Sequence, residues 1–304
     1  MEADRQGGIT DPMRKRVGFT VFILLVATLL VGVSFVWGGD LLDSYSGAAA
    51  PAPSIAESPA ASELPTRKAA PAAPTAPTLP PALLHPAPVT VNATGFWSWT
   101  VLDRRTGTMA GSANASTTQR TASMIKAWLA SDYLRRNPNP SKSNLSQLTT
   151  MIRNSDNAAA SYFWGLDGKS ASISRLVQLC GLTDSKAYID WASTLVSARD
   201  AARMGACIAD GRAAGSKWTD WVLNEMRNVE KDQKFGITPA LPAAEQAGTA
   251  VKNGWIARSD GKWHVNCLAI GTDWVLSVLT VYPTSKGEEY GHDICSSVTK
   301  QLQA

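Results

Sequence analysis

The apolar positions of this chain fall into two regimes. Over residues 17–37 they run for 21 positions without a charge, and beyond residue 90 they recur in short alternating or helical patterns. Phe96-Trp97-Ser98-Trp99-Thr100-Val101-Leu102 is aromatic and β-branched and predicts a strand. The turn Asp103-Arg104-Arg105-Thr106-Gly107 leads from it to a second strand over 108–113. Helical spacing then predicts helices over 123–136, stopped by Asn137-Pro138-Asn139-Pro140, and over 143–153, 157–165 and 170–180. Two further amphipathic helices are predicted over 197–210 and 216–227. Strands follow over 247–255, 263–270 and 274–282, separated by Ser259-Asp260-Gly261 and Gly271-Thr272-Asp273, and a helix over 288–302 closes the chain.

Two strands, a block of helices, three strands and a helix argue for an α+β fold rather than alternating β-α units. The late strands are joined by short turns and should be antiparallel, and the first two complete a five-stranded sheet. No internal repeat and no Gly-rich phosphate loop is present.

The 17–37 stretch is long enough to cross a hydrocarbon core of roughly 30 Å. It exceeds the apolar region of a cleaved signal, roughly 7–15 residues, and no small-x-small site closes it. Arg14-Lys15-Arg16 before it places residues 1–16 in the cytoplasm and all that follows outside. No cysteine lies near this span, so an anchor through a lipidated cysteine is not expected. Residues 38–89 lack periodicity, and eleven of the seventeen prolines fall within 51–88. That composition predicts a semi-extended tether. The folded unit is therefore expected over 90–304, extracytoplasmic on a single-pass anchor.

All four cysteines (Cys180, Cys207, Cys267, Cys295) lie in that unit, in a compartment where disulfides persist. Three pairings are possible, and sequence order suggests Cys180–Cys207 and Cys267–Cys295. The net charge of +4 is modest and the basic residues are scattered, which argues against nucleic acid as a partner. The three histidines (His85, His264, His292) are far apart and no Cys-x-x-Cys occurs, so neither a zinc site nor a His-based triad is expected.

The chemistry concentrates in three places. In Ser123-Met124-Ile125-Lys126, positions three apart on a helix share a face, so the hydroxyl and the amine can meet. A lysine whose pKa is lowered by burial and nearby positive charge can activate a serine. Ser155-Asp156-Asn157 lies between two helices, where capping alone would explain Ser155 or Asp156. Lys252-Asn253-Gly254-Trp255 ends an apolar strand. Each motif has a decoy or a bland reading: Ser297-Val298-Thr299-Lys300 repeats the first spacing, and Lys234-Phe235-Gly236 imitates the third.

Taken in order, the three motifs resemble the Ser-x-x-Lys, Ser-Asp-Asn and Lys-Thr-Gly set of class A β-lactamases and penicillin-binding proteins. The resemblance covers the chain from Phe96 to its end. It implies that Ser123 is acylated, that Lys126 is the base and that Ser155 relays a proton to the leaving nitrogen. Asn157 would hold the substrate's amide side chain. Lys252, with Asn253 and Gly254 beside it, would meet a substrate carboxylate and depress the pKa of Lys126. The N–H groups of Ser123 and Trp255 would form the oxyanion hole. The implied substrates are β-lactams or D-Ala-D-Ala-type cell-wall peptides, with no metal or other cofactor.

Two departures from the pattern stand out. Asn253 replaces the usual Thr or Ser; its amide can donate to a carboxylate but carries no hydroxyl. Class A enzymes deacylate with the glutamate of a Trp-Glu-x-x-Leu-Asn loop, and no glutamate lies between Asn157 and Glu225. Asp190 is the nearest candidate, and a loop or capping role suits it better. An acyl-enzyme that forms but hydrolyses slowly is therefore expected; the alternative is a non-catalytic module of this fold that binds wall fragments or a protein partner. Of the many tryptophans, Trp255 and Trp191 are the ones expected in the cleft.

Overall fold

The computed structural model describes residues 82–303. Among them no helix is long and apolar enough to cross a membrane. The expected anchor over 17–37 and most of the tether over 38–89 lie outside these residues. The folded unit reaches further back than residue 90, because Ala82 and Leu84 are buried in its core. Leu84 forms a bridge with Gln303, and the His85 N–H donates to the Leu302 carbonyl at 3.0 Å.

The fold is α+β, with a six-stranded antiparallel sheet where five strands were expected. Its order is β2 (Met109–Gly111), β1 (Phe96–Asp103), β8 (Trp274–Pro283), β7 (Lys262–Ile270), then β5 (Ala250–Val251) and β6 (Gly254–Ala257), both paired to β7. The single late strand expected over 247–255 is split, although β5 and β6 keep one register against β7. At the break the Leu268 N–H donates to the Asn253 side chain at 3.2 Å, so the ladder is interrupted at Lys252 and Asn253. A second, two-stranded sheet joins β3 (Thr118–Arg120) to β4 (Leu195–Ser197) and was not anticipated.

The central strands read as near-continuous apolar runs because both faces of the sheet are covered. On one side α5 (Ala198–Ala209) lies so close that a Cβ on Gly205 would stand 2.7 Å from Val275 and 3.2 Å from Leu268. On the other, α9 (Glu289–Gln301) packs Gly291 against Val265 and is tied to β7 by the Cys267–Cys295 disulfide. A second disulfide, Cys180–Cys207, ties α4 (Ser170–Cys180) to α5. Each closes a loop of under thirty residues, separations of 27 and 28, for which about 3 kcal/mol of stabilisation is typical.

The helical block is built around α1 (Lys126–Arg136), buried from Lys126 through Leu134, as a helix enclosed on all sides must be. Around it pack α2 (Lys142–Arg153), α3 (Asn157–Leu166), α4 and α6 (Thr219–Arg227). Side-chain caps fix where these helices begin: Ser141 accepts from Asn144, Asp156 from Ala159 and Ser197 from Asp200. Arg153 binds Glu225 through two bonds of 2.7 and 2.9 Å, joining α2 to α6. Short helices α7 (Ile237–Ala240) and α8 (Ala243–Gln246) then lead the chain back to the sheet.

Candidate active site

β3 delivers the chain into a tight turn, Ala122–Ile125, whose first residue has a left-handed φ of +47°. A non-glycine residue there is strained, and such strain persists only where the surroundings impose it. The Thr121 N–H donates to Thr194 and the Met124 N–H to Thr121, which fixes the turn just ahead of Ser123. The neighbouring strand crosses it at Gly254. A Cβ on Gly254 would stand 2.4 Å from the Met124 nitrogen and 2.7 Å from that of Ser123, so only glycine permits this approach. The backbone of β6 thereby lies against that of Ser123.

Lys126 begins α1 one turn further on and is fully buried. Its Nζ donates to the Ser155 carbonyl at 2.5 Å, the Ser155 Oγ at 3.2 Å and the Asn157 Oδ1 at 2.7 Å. Ser155 is itself in the left-handed region, φ +57°, just before Asp156 caps α3. The first two motifs are thus brought together. Burial drives the pKa of Lys126 from 10.5 down to about 7, against the attraction of Asp156. The expected contact of Ser123 with Lys126 is not made: among the described residues the Ser123 hydroxyl has no hydrogen-bond partner, and the amine donates to Ser155 and Asn157 instead.

Lys252 and Asn253 differ from expectation. Lys252 is buried, its Nζ donates to Gln233 Oε1 at 3.2 Å, and burial followed by the charge of Lys126 holds its pKa well below the usual lysine range. The two buried amines thus oppose one another's protonation. Asn253 does not point an amide at a substrate. Its Nδ2 donates to the carbonyls of Gln233 and Phe235, both at 3.0 Å, and its Oδ1 receives Leu268. The Trp255 ring meets Phe235 edge-on at 5.3 Å, and Phe235 in turn stacks on His292 of α9.

The loop after α4 is held by the Asp200 carboxylate, which accepts from the N–H groups of Thr183, Asp184 and Ser185 and from the Ser185 hydroxyl. Asp190 caps a short turn, Trp191–Ser193, by accepting from the Ser193 N–H at 2.7 Å, the role its position suggested. Trp191 donates to Ser161 Oγ, and its ring centroid lies 4.8 Å from the Lys126 Nζ. An indole therefore stands beside the buried amine where a deacylating carboxylate was sought. The sequence holds a signal for this: Trp191-Ala192-Ser193-Thr194-Leu195-Val196 has the Trp and Leu of the Trp-Glu-x-x-Leu-Asn pattern, with Ala192 at the glutamate position and Val196 at the asparagine. Gln233 had no such signal, being a tertiary partner nineteen residues from Lys252.

The β-lactamase enzyme family model matches residues 134–303. This chain belongs to that family. A curated relative, the putative lipoprotein LppW of Mycobacterium tuberculosis, is 30% identical over 188 residues, 57% of this chain. The chain thus spans 58% of that relative's length. Among solved structures, the TLA-3 extended-spectrum β-lactamase superposes with a TM-score of 0.59 at 15% identity, covering 69% of this chain and 94% of that one. A class A β-lactamase from Mycobacterium abscessus gives 0.55 at 16% identity, covering 69% and 93%. At these identities the likeness shows the fold.

Proposed function

We propose that this chain is a membrane-anchored serine hydrolase or acyltransferase that forms an acyl-enzyme at Ser123 and releases it slowly. β-Lactams and D-Ala-D-Ala-type cell-wall peptides are the donor classes the family resemblance implies. The observation that carries the reading is Lys126: a buried amine with a pKa of about 7, one helical turn from Ser123, which directly follows the strained Ala122. Near neutral pH about half of such an amine is unprotonated and able to take the Ser123 proton. Ser155, bonded to Lys126, relays a proton to the leaving group, and Asn157 keeps its amide N–H₂ for the substrate. The N–H groups of Ser123 and Trp255 receive the oxyanion; loss of one such donor costs about 3 kcal/mol.

Slow release follows from the loop, where Trp191 faces Lys126 and Ala192 replaces the glutamate. Attachment is proposed through the apolar 17–37 span, and membrane association accords with the lipoprotein name of the LppW relative. The alternative, a module that binds without turnover, draws support from the unlinked Ser123 hydroxyl. Intact-protein mass spectrometry separates the two. The full chain, with Ser123→Ala and Ser297→Ala variants, is exposed to a neutral aryl ester and to a penicillin. One acyl adduct that disappears only in Ser123→Ala supports the enzyme; no adduct with either reagent rejects it.

A further inference from the structure

The third motif is intact in order, yet its two polar side chains are already engaged by one neighbouring segment. Gln233 supplies Oε1 to the Lys252 Nζ at 3.2 Å and its backbone carbonyl to the Asn253 amide at 3.0 Å. The second Asn253 amide proton goes to the Phe235 carbonyl. Both Lys252 and Asn253 are 1% exposed, so an arriving carboxylate finds no open path to either side chain.

Gln233 is built into this position. It is 5% exposed and ends a tight turn, Lys231–Gln233, with its N–H on the Glu230 carbonyl at 3.0 Å. Two residues on, the Phe235 ring stacks on His292 with centroids 3.7 Å apart. The Gly236 carbonyl accepts from Ser296 Oγ at 2.7 Å. Gly236 has a φ of +75° and lies so close to the Cys267–Cys295 disulfide that a Cβ would come within 2.8 Å of the Cys267 Sγ. A disulfide and α9 therefore back the segment that presents Gln233, and the side chain is held in one place.

Electrostatics agree with the contacts. Admitting a carboxylate would require displacing the Gln233 oxygen, stripping the carboxylate of water and protonating Lys252, which burial and the charge of Lys126 oppose. Asp232 favours that protonation only as a lesser influence.

We propose that Gln233 is a specificity-determining residue that closes the carboxylate-recognition position of the third motif, so that the cleft takes acyl donors whose leaving group bears no free carboxylate. Esters, amidated termini and internal peptide bonds are of this class, and the donor classes named above are narrowed accordingly, since β-lactams and D-Ala-D-Ala termini carry the disfavoured carboxylate. The proposal rests on the Ser123 reading above. In the step itself Ser123 Oγ bonds to the acyl carbon and its proton passes to the Lys126 Nζ. The bond from that carbon to the leaving atom breaks, and the leaving atom takes a proton through Ser155. No substrate carboxylate takes part.

The test uses two acyl thioesters alike except that one leaving group is mercaptoacetate and the other mercaptoacetamide. Thiol release and acyl-Ser123 formation are followed on the full chain. The amide form is expected to acylate about tenfold faster or more, the scale of one charge-assisted hydrogen bond. Gln233→Ala should remove that preference by accelerating the mercaptoacetate form alone, while Gln233→Glu, pairing with Lys252, should retain it. Equal rates, or a faster mercaptoacetate form, in the unaltered chain would overturn the role of Gln233 and leave the Ser123 reading standing. An unchanged preference in a folded Gln233→Ala would also overturn it. Reaction with neither thioester would overturn both.

Discussion

The Lys126 Nζ sits 4.8 Å from the centre of the Trp191 ring, in a site where burial has brought the amine's pKa to about 7. Two effects of the indole oppose one another. Its π face favours the charged amine by roughly 0.5–2 kcal/mol. Its bulk adds to the burial that excludes water and favours the neutral one, and the net drop from 10.5 to about 7 shows that burial as a whole outweighs the attractions on the amine. Acylation should accordingly rise with pH through about 7. In Trp191→Ala, with Lys126 wetted, the midpoint should move alkaline by about one pH unit or more. The pH profile of acylation by a neutral ester measures this; an unmoved or more acidic midpoint would show that Trp191 does not set the base.

Ala192 stands where the family pattern places a glutamate, beside Trp191 in the capped turn. Ala192→Glu should shorten the lifetime of the acyl-enzyme by roughly a hundredfold, the lower end of general-base catalysis. Its acylation rate should change little. Acyl-enzyme decay followed by mass spectrometry reads the effect, and an unaltered lifetime would remove the missing glutamate as the cause of slow release.

Gly254 has no room for a side chain, since a Cβ would meet the Met124 and Ser123 nitrogens and, at 2.5 Å, the Thr121 carbonyl. Gly254→Ala must push β6 from the nucleophile turn, and displacements near 1 Å can cost about a hundredfold in rate. Acylation should fall by about that factor. Retention of the melting transition would show the loss to be local, and full activity would contradict the packing described.

His264 is buried on β7, and its pKa is pushed down to about 4 by burial, then by Arg258 and Arg120 and to a lesser degree Lys262, with Asp260 opposing. The unfolded chain takes up a proton below pH 6.5 that the folded chain refuses until about 4. Stability therefore falls as pH drops through that window and levels beneath it, by about 3 kcal/mol in all. Asp167, raised to about 8 chiefly by burial, gives the opposite slope over the same range. The comparison with His264→Gln cancels Asp167: the stability difference should shift in the variant's favour as pH falls from 6.5 to 4. A constant difference across denaturant melts would refute the assignment.

The sequence revealed most where the chemistry is local. Predicted helices over 143–153 and 170–180 match Lys142–Arg153 and Ser170–Cys180, since a Ser141 cap and a left-handed Gly181 end them within the chain's own neighbourhood. The disulfides follow the suggested order. Ser123, Lys126 and Ser155 could be picked out because their motifs are contiguous, although the hydroxyl's separation from the amine could not. Legibility failed where distant segments meet. β3 and β4 are three residues each, too short to show a period, and pair across 75 to 79 positions. The break at Lys252-Asn253 is caused by a side chain entering the ladder, and Gln233 acts through a contact that no spacing announces.

Central to the proposed chemistry is an acyl-Ser123 that forms faster than it is released. The direct measurement is rapid-mixing kinetics of the full chain with p-nitrophenyl acetate near pH 8, beside Ser123→Ala. A burst of one p-nitrophenolate per chain followed by much slower turnover, absent from Ser123→Ala, is the predicted result. Linear release without a burst, or a burst that survives Ser123→Ala, would contradict it.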